Sequence, residues 1–95
     1  MEKTLIPTLL LLSNIALADG QEIYRSVCYS CHDYGINFAP KFGAKNQWTS
    51  RSSKDIEELV DFVVTGKGNM PPNAGSNLTE FEIREAVFYM IKSLK

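Results

Sequence analysis

The feature that most constrains this chain is a run of five consecutive residues, Cys28-Tyr29-Ser30-Cys31-His32. This cysteine cluster holds both cysteines and the single histidine of the 95-residue sequence. Two thiols three residues apart, followed at once by an imidazole, place three strong ligand groups within about one helical turn. The chemistry of the cluster therefore decides which folds and functions stay open.

Haem attachment fits both the composition and the spacing of the cluster. Each thiol can add to a vinyl group of one haem, while the adjacent imidazole reaches the iron from the same side. A structural disulfide, a thioredoxin-like redox pair and half of a zinc site also use Cys-x-x-Cys. A zinc site would lack a fourth ligand of the usual kind. A thioredoxin-like pair is expected in a βαβ unit, which this sequence does not offer. We therefore predict one covalently attached haem c, held by Cys28 and Cys31 and ligated by His32.

Residues 1–18 have the composition of a secretory signal peptide. Glu2 and Lys3 precede an apolar stretch at residues 5–12, and Ala16-Leu17-Ala18 gives a small-x-small end. A membrane span needs about twenty apolar residues, so a cleaved signal fits better than a retained anchor, which stays open as an alternative. We expect cleavage after Ala18, export to the periplasm, and no membrane span in the mature chain.

Residues 19–95 are expected to form one domain. A chain this short has a marginal apolar core unless a disulfide, a metal or a cofactor stabilises it. The formal net charge is −1, and losing Glu2 and Lys3 with the signal peptide leaves it unchanged. Since no block of basic residues is present, nucleic acid is not expected as a partner.

Capping residues and apolar periodicity predict three helices and no strand. The predicted N-terminal caps are Asp19 with Glu22, Ser52 or Ser53, and Thr79 with Glu82. The first helix runs into the cysteine cluster, the second ends at Gly66, and the third keeps helical spacing to Leu94. The sequence thus predicts an all-α domain with three main helices around a covalently attached haem.

Two loops separate the predicted helices. The first, residues 33–51, is rich in aromatic residues, and the second, residues 66–75, holds too much Gly and Pro for a helix or central strand. Met70 is flanked there by Gly68 and Pro71-Pro72, which allow close approach of the backbone and hold it extended. We predict Met70 as the sixth iron ligand opposite His32, with a surface or packing methionine as the alternative.

Motifs in a fixed order make the chain similar to a class I cytochrome c. They are Cys28-x-x-Cys31-His32, Ala39 to Gly43 with Pro40, Trp48-x-x-Arg51, and Asn69-Met70-Pro71-Pro72. Within that class the chain most resembles the short bacterial cytochrome c-five group, and the resemblance covers residues 19–95. One departure is that Asn73 to Asn77 stand where many members carry a second cysteine pair.

The resemblance implies roles for further residues. The Pro40 carbonyl would accept a hydrogen bond from His32 Nδ1 and fix the imidazole ring. Trp48 Nε1 and Arg51 would face the haem propionates, with a simple core aromatic as the alternative for Trp48. The first and last helices would cross closely at Gly20, Tyr24 and Tyr89.

The resemblance also implies a soluble single-electron carrier between larger redox proteins, and not an enzyme. Imidazole and thioether ligands saturate the iron, which suits outer-sphere electron transfer. Three alternatives remain open: a haem enzyme or gas-binding protein with an open iron site, a thiol-redox or metal-binding protein without haem, and a domain docked permanently on an oxidase or reductase.

Overall fold

The computed structural model describes residues 19–95, and the predicted signal peptide lies outside the described residues. Helix α1 covers residues 20–32, α2 covers Lys45–Ser52, α3 covers Ile56–Thr65 and α4 covers Glu80–Lys92. Short 3₁₀ turns lie at Ile36–Phe38 and Pro72–Gly75. Residues 19–95 contain no strand beyond one antiparallel bridge between Lys67 and Met70. The all-α prediction is confirmed.

Helix α1 changes its winding on the way to the cysteine cluster. Gly20–Ile23 are α-helical, Tyr24–Cys28 are π-helical and Tyr29–His32 are α-helical again. The predicted cap is present at its start, where the Asp19 carboxylate accepts a hydrogen bond of 3.0 Å from the Gln21 N–H. A π-helical turn inserts an extra residue into a helix. It therefore changes the direction in which the cysteine cluster faces.

Two details of the sequence prediction are wrong. Residues 33–51 are not one continuous loop, because Lys45–Ser52 form α2. Only Trp48 is buried on this helix, so it lacks the apolar stripe by which the other helices are recognised. Helix α3 is not capped by Ser52 or Ser53, since these residues end α2 and the N-cap residue of α3 is Asp55.

Helices α3 and α4 form the larger apolar cluster. Its buried members are Leu59, Val60, Ile83 and Val87. The predicted capping box begins α4, as Thr79 Oγ1 accepts from the Glu82 N–H at 3.2 Å and Glu82 Oε1 accepts from the Thr79 N–H at 2.8 Å. Within residues 19–95, no helix combines the length and apolar composition that crossing a bilayer requires.

The crossing of α1 and α4 depends on a glycine. A Cβ atom at Gly20 would lie 2.2 Å from the Glu85 carbonyl oxygen and 3.1 Å from Tyr89 Cβ. Any side chain at this position would push the two helices apart. The close approach predicted for the first and last helices therefore needs a glycine here. A second buried cluster, formed by Tyr24, Trp48 and Met90, includes the half-buried Cys28 at its edge. The fold thus joins the helix crossing directly to the cysteine cluster.

Candidate haem site

The two cysteines lie where α1 ends. Cys28 closes the π-helical turn, and Cys31 lies in the α-helical turn that follows. Both are free and half-buried. Burial raises the pKa of the Cys28 thiol to about 11. A redox-active cysteine reacts as the thiolate, so the raised pKa of Cys28 disfavours the thioredoxin-like alternative.

His32 is oriented by the loop that follows it. Its Nδ1 lies 2.8 Å from the Pro40 carbonyl oxygen, the contact that the resemblance implies. A carbonyl oxygen only accepts hydrogen bonds, so Nδ1 carries the proton and Nε2 keeps a lone pair. Burial lowers the pKa of His32, against the opposing effect of the Pro40 bond. The ring is therefore a neutral imidazole with Nε2 available to a metal.

The backbone after the cluster is fixed by further hydrogen bonds. The Phe42 N–H donates to the His32 carbonyl at 2.7 Å, and the Gly35 N–H donates to the Cys31 carbonyl at 2.8 Å. These bonds fold residues 33–42 back against the end of α1. They hold the Pro40 carbonyl where it can meet the imidazole.

Trp48 is buried beside the ring of His32. Its side chain is 7% exposed, and its ring centroid lies 5.9 Å from that of His32. The indole Nε1–H donates to the Lys41 carbonyl oxygen at 2.7 Å. An indole has a single donor, so this bond uses the group that was expected to face a propionate. Trp48 thus packs as a core aromatic, and its contact with a haem propionate stays a prediction.

Arg51 lies on the exposed side of α2. Its Nη1 donates to the Gln47 carbonyl at 2.7 Å, and its side chain lines an open cavity of about 430 Å³ together with Phe38 and Pro40. A guanidinium has five N–H donors, so others remain free to meet a carboxylate. A contact between Arg51 and a haem propionate stays a prediction.

Met70 lies in a tight turn of the second loop. Its N–H donates to the Lys67 carbonyl at 2.9 Å, and the Lys67 N–H donates to the Met70 carbonyl at 3.0 Å. The Asn69 side-chain amide donates to the Asn37 carbonyl at 3.1 Å. This bond brings the loop of the half-buried Met70 against the loop that holds Pro40. Ligation of iron by Met70 stays a prediction.

The donor groups of the site fit a haem better than a bare metal ion. Among residues 19–95, no three or more His, Cys, Asp or Glu side chains converge as a metal site would require. Cys28, Cys31 and His32 are neighbours along the chain, but their donors do not meet at one point. Separate attachment to different atoms of one large planar ligand accounts for this arrangement.

Sequence reasoning missed one contact at this site. The Tyr24 hydroxyl donates a hydrogen bond to the Asp33 carboxylate, next to His32. In a regular α-helix, residues nine apart lie on opposite faces, so the spacing gives no signal for the pair. The π-helical turn between them changes this register.

Comparison with known proteins identifies the family. Residues 15–90 match the family model described as cytochrome c oxidase, cbb3-type, subunit III. The chain is 41% identical over 81 residues to cytochrome c-551 of Halorhodospira halochloris, which covers 81% of this chain and all of that protein. It is 33% identical over 87 residues to cytochrome c-555 of Prosthecochloris aestuarii, which covers 82% of this chain and 88% of that protein.

Solved structures agree with this result. One is the crystal structure of an electron transfer complex of nitrite reductase with cytochrome c, with a TM-score of 0.78, 38% identity, and coverage of 80% of this chain and 94% of the other. Another is reduced cytochrome c551 of Ectothiorhodospira halophila, with a TM-score of 0.69, 37% identity, and coverage of 80% and 100%. With its Cys-x-x-Cys-His haem attachment site, the chain belongs to the cytochrome c family, among the small class I cytochromes that carry one haem c.

Proposed function

We propose that this cytochrome is a soluble periplasmic carrier of single electrons in which His32 and Met70 ligate the haem iron. The observation that carries the proposal is the 2.8 Å contact between His32 Nδ1 and the Pro40 carbonyl. It leaves Nε2 of a neutral imidazole with a lone pair for the iron, beside two thiols that can form the covalent bonds to the haem. The bound haem supplies the one-electron chemistry, and the protein fixes and covers it.

The position of Met70 supports it as the second axial ligand. Among residues 19–95 the other methionine is Met90, which is 6% exposed and packed in the cluster with Tyr24 and Trp48. Met70 is instead half-buried on a loop joined to the Pro40 loop. A thioether opposite an imidazole raises the reduction potential and leaves no open site for substrate. A carrier, and not an enzyme, is the function that this ligand pair favours.

The location and partners follow from other features. The signal-peptide composition of residues 1–18 supports export to the periplasm. A similar cytochrome c was solved in an electron transfer complex with nitrite reductase. We therefore propose redox proteins, including membrane-bound oxidases or reductases, as the donor and acceptor, with no role for nucleic acid.

The first test is expression with its own leader in a bacterium that attaches haem c. The purified protein should begin at Asp19, carry the mass of one haem, and give the pyridine haemochrome of a c-type haem. The oxidised protein should show the weak Met-to-iron charge-transfer band at the red end of its spectrum. This band should vanish in Met70→Leu and persist in the matched control Met90→Leu. Haem without the band would favour an open-site haem protein, and a colourless product would refute the proposal.

A further inference from the structure

A single hydrogen bond spans the segment that carries the haem ligands. The hydroxyl of Tyr24 donates to a carboxylate oxygen of Asp33, nine residues further along the chain. Tyr24 begins the π-helical turn of α1, and Asp33 directly follows His32. The bond therefore encloses Cys28, Cys31 and His32 between its two ends.

The donor of this bond is held rigidly. Tyr24 is 3% exposed, and its ring centroid lies 4.7 Å from that of Phe42 and 5.8 Å from that of Tyr89. The carbonyl oxygen of Tyr24 accepts a hydrogen bond from the Tyr29 N–H, and this bond closes the π-helical turn. Burial, with the Asp33 bond, raises the pKa of Tyr24 well above its usual value, so the hydroxyl keeps its proton.

The acceptor, in contrast, lies at the surface. Asp33 is exposed, and within residues 19–95 the Tyr24 hydroxyl is the one side-chain partner of its carboxylate. A carboxylate that rotates freely in water is screened, whereas one anchored against the protein acts on its neighbours from a fixed position. The neighbour in this case is His32, which Arg51 also influences with the opposite charge.

We propose that Tyr24 is a positioning residue that holds the Asp33 carboxylate beside His32, where its fixed negative charge lowers the reduction potential of the haem iron. The inference rests on the proposed function, because it requires iron bound to His32. The ferric state carries one more positive charge than the ferrous state, so a nearby negative charge stabilises the oxidised protein. Arg51 acts in the opposite direction.

Redox titration of the holoprotein tests this relation in Tyr24→Phe, Asp33→Asn and the double variant. Asp33→Asn removes the charge and should raise the potential. Tyr24→Phe keeps the packed ring but releases the carboxylate, so it should shift the potential in the same direction by a smaller amount. The double variant should match Asp33→Asn, because Tyr24 acts only through Asp33. The matched control Glu22→Gln, an exposed carboxylate on the same helix, should shift the potential less than either single variant.

Three results would overturn the inference. They are an unchanged potential in Asp33→Asn, an unchanged potential in Tyr24→Phe, and additive shifts in the double variant. A purely structural role would lower the unfolding midpoint of Tyr24→Phe and leave its potential alone. If the wild-type protein contains no haem, the inference fails together with the proposed function. If haem and the Met70 band are present and the potentials do not move, the inference fails alone.

Discussion

On the His32 side of the haem site, side-chain and backbone bonds fix the ligand from two directions, whereas the Met70 side depends on a short turn. His32 is tied to Pro40 through its ring and to Phe42 through its carbonyl, at 2.8 Å and 2.7 Å. Two backbone hydrogen bonds between Lys67 and Met70 close the Met70 turn. The hydrogen bond from the Asn69 side chain to the Asn37 carbonyl joins this turn to the first loop.

This difference indicates which of the two proposed iron ligands is held more firmly. Two hydrogen bonds hold His32, one to its ring and one to its carbonyl. On the Met70 side, the hydrogen bonds restrain the backbone and the neighbouring Asn69 but not the thioether side chain. The cysteine pair found after this loop in many cytochromes of the c-five group is also missing from the sequence. We therefore expect Met70, and not His32, to be the ligand that detaches first.

The largest effect is expected on the His32 side, from the double substitution Cys28→Ser and Cys31→Ser. No thiol would remain to form a bond with a haem vinyl group, so covalent attachment should be lost completely. Acid-acetone extraction of the denatured protein measures this, because only non-covalent haem is extracted. Ser30→Ala, an exposed change between the two cysteines, is the control and should keep its haem. Covalent haem in the double variant would contradict the assignment.

A large loss of stability is expected from Gly20→Ala. The new methyl group would meet the Glu85 carbonyl oxygen at 2.2 Å, and moving a backbone group to relieve this contact should cost about 3 kcal/mol. Gly43→Ala is the control, since open space surrounds that position and only its φ of 77° opposes a side chain, at about 1 kcal/mol. Denaturant unfolding of both holoproteins measures the two values. Equal losses of unfolding free energy in the two variants would show that the crossing of α1 and α4 does not require a glycine at position 20.

A moderate effect is expected on the Met70 side from Asn69→Ala. The substitution removes the bond to the Asn37 carbonyl, worth about 1 kcal/mol, so added imidazole should displace Met70 about five-fold more readily. Loss of the charge-transfer band during an imidazole titration of the oxidised protein measures this. Asn77→Ala, an exposed asparagine beyond the loop, should bind imidazole as the wild type does. Unchanged affinity in Asn69→Ala would mean that the two loops do not restrain Met70 jointly.

The smallest effect is expected outside both sides of the site, where Arg84 bonds Glu57 at 2.7 Å and 2.8 Å across α3 and α4. The Arg84 bond lowers the pKa of the Glu57 carboxyl. Its contribution to stability is therefore present above the unfolded pKa of about 4.3 and is lost as pH falls through the lower folded pKa. Glu57→Gln should slightly flatten the acid limb of the stability curve, and Glu58→Gln, whose Lys54 pair is longer at 3.9 Å, should do so less. A larger change in Glu58→Gln would contradict this ranking.

The sequence predicts those parts of the fold and of the haem site that depend on local chemistry. The cysteine cluster, the Thr79–Glu82 capping box and the Gly-Pro surroundings of Met70 are each encoded within a few residues. Helix α2 escapes prediction because a single buried side chain, Trp48, produces no periodicity. The partner of the Trp48 indole escapes it because a donor that can face a propionate can equally face a carbonyl seven residues away.

The most direct test of the account is the proton NMR spectrum of the reduced holoprotein. The methyl group of a methionine bound to haem iron lies over the porphyrin. The ring current of the porphyrin shifts the resonance of this methyl group far upfield. We predict one such three-proton signal in the wild type and in Met90→Leu, and none in Met70→Leu. A reduced wild-type protein that contains covalent haem but lacks the upfield methyl signal would contradict ligation by Met70, and with it the assignment as a closed-site electron carrier.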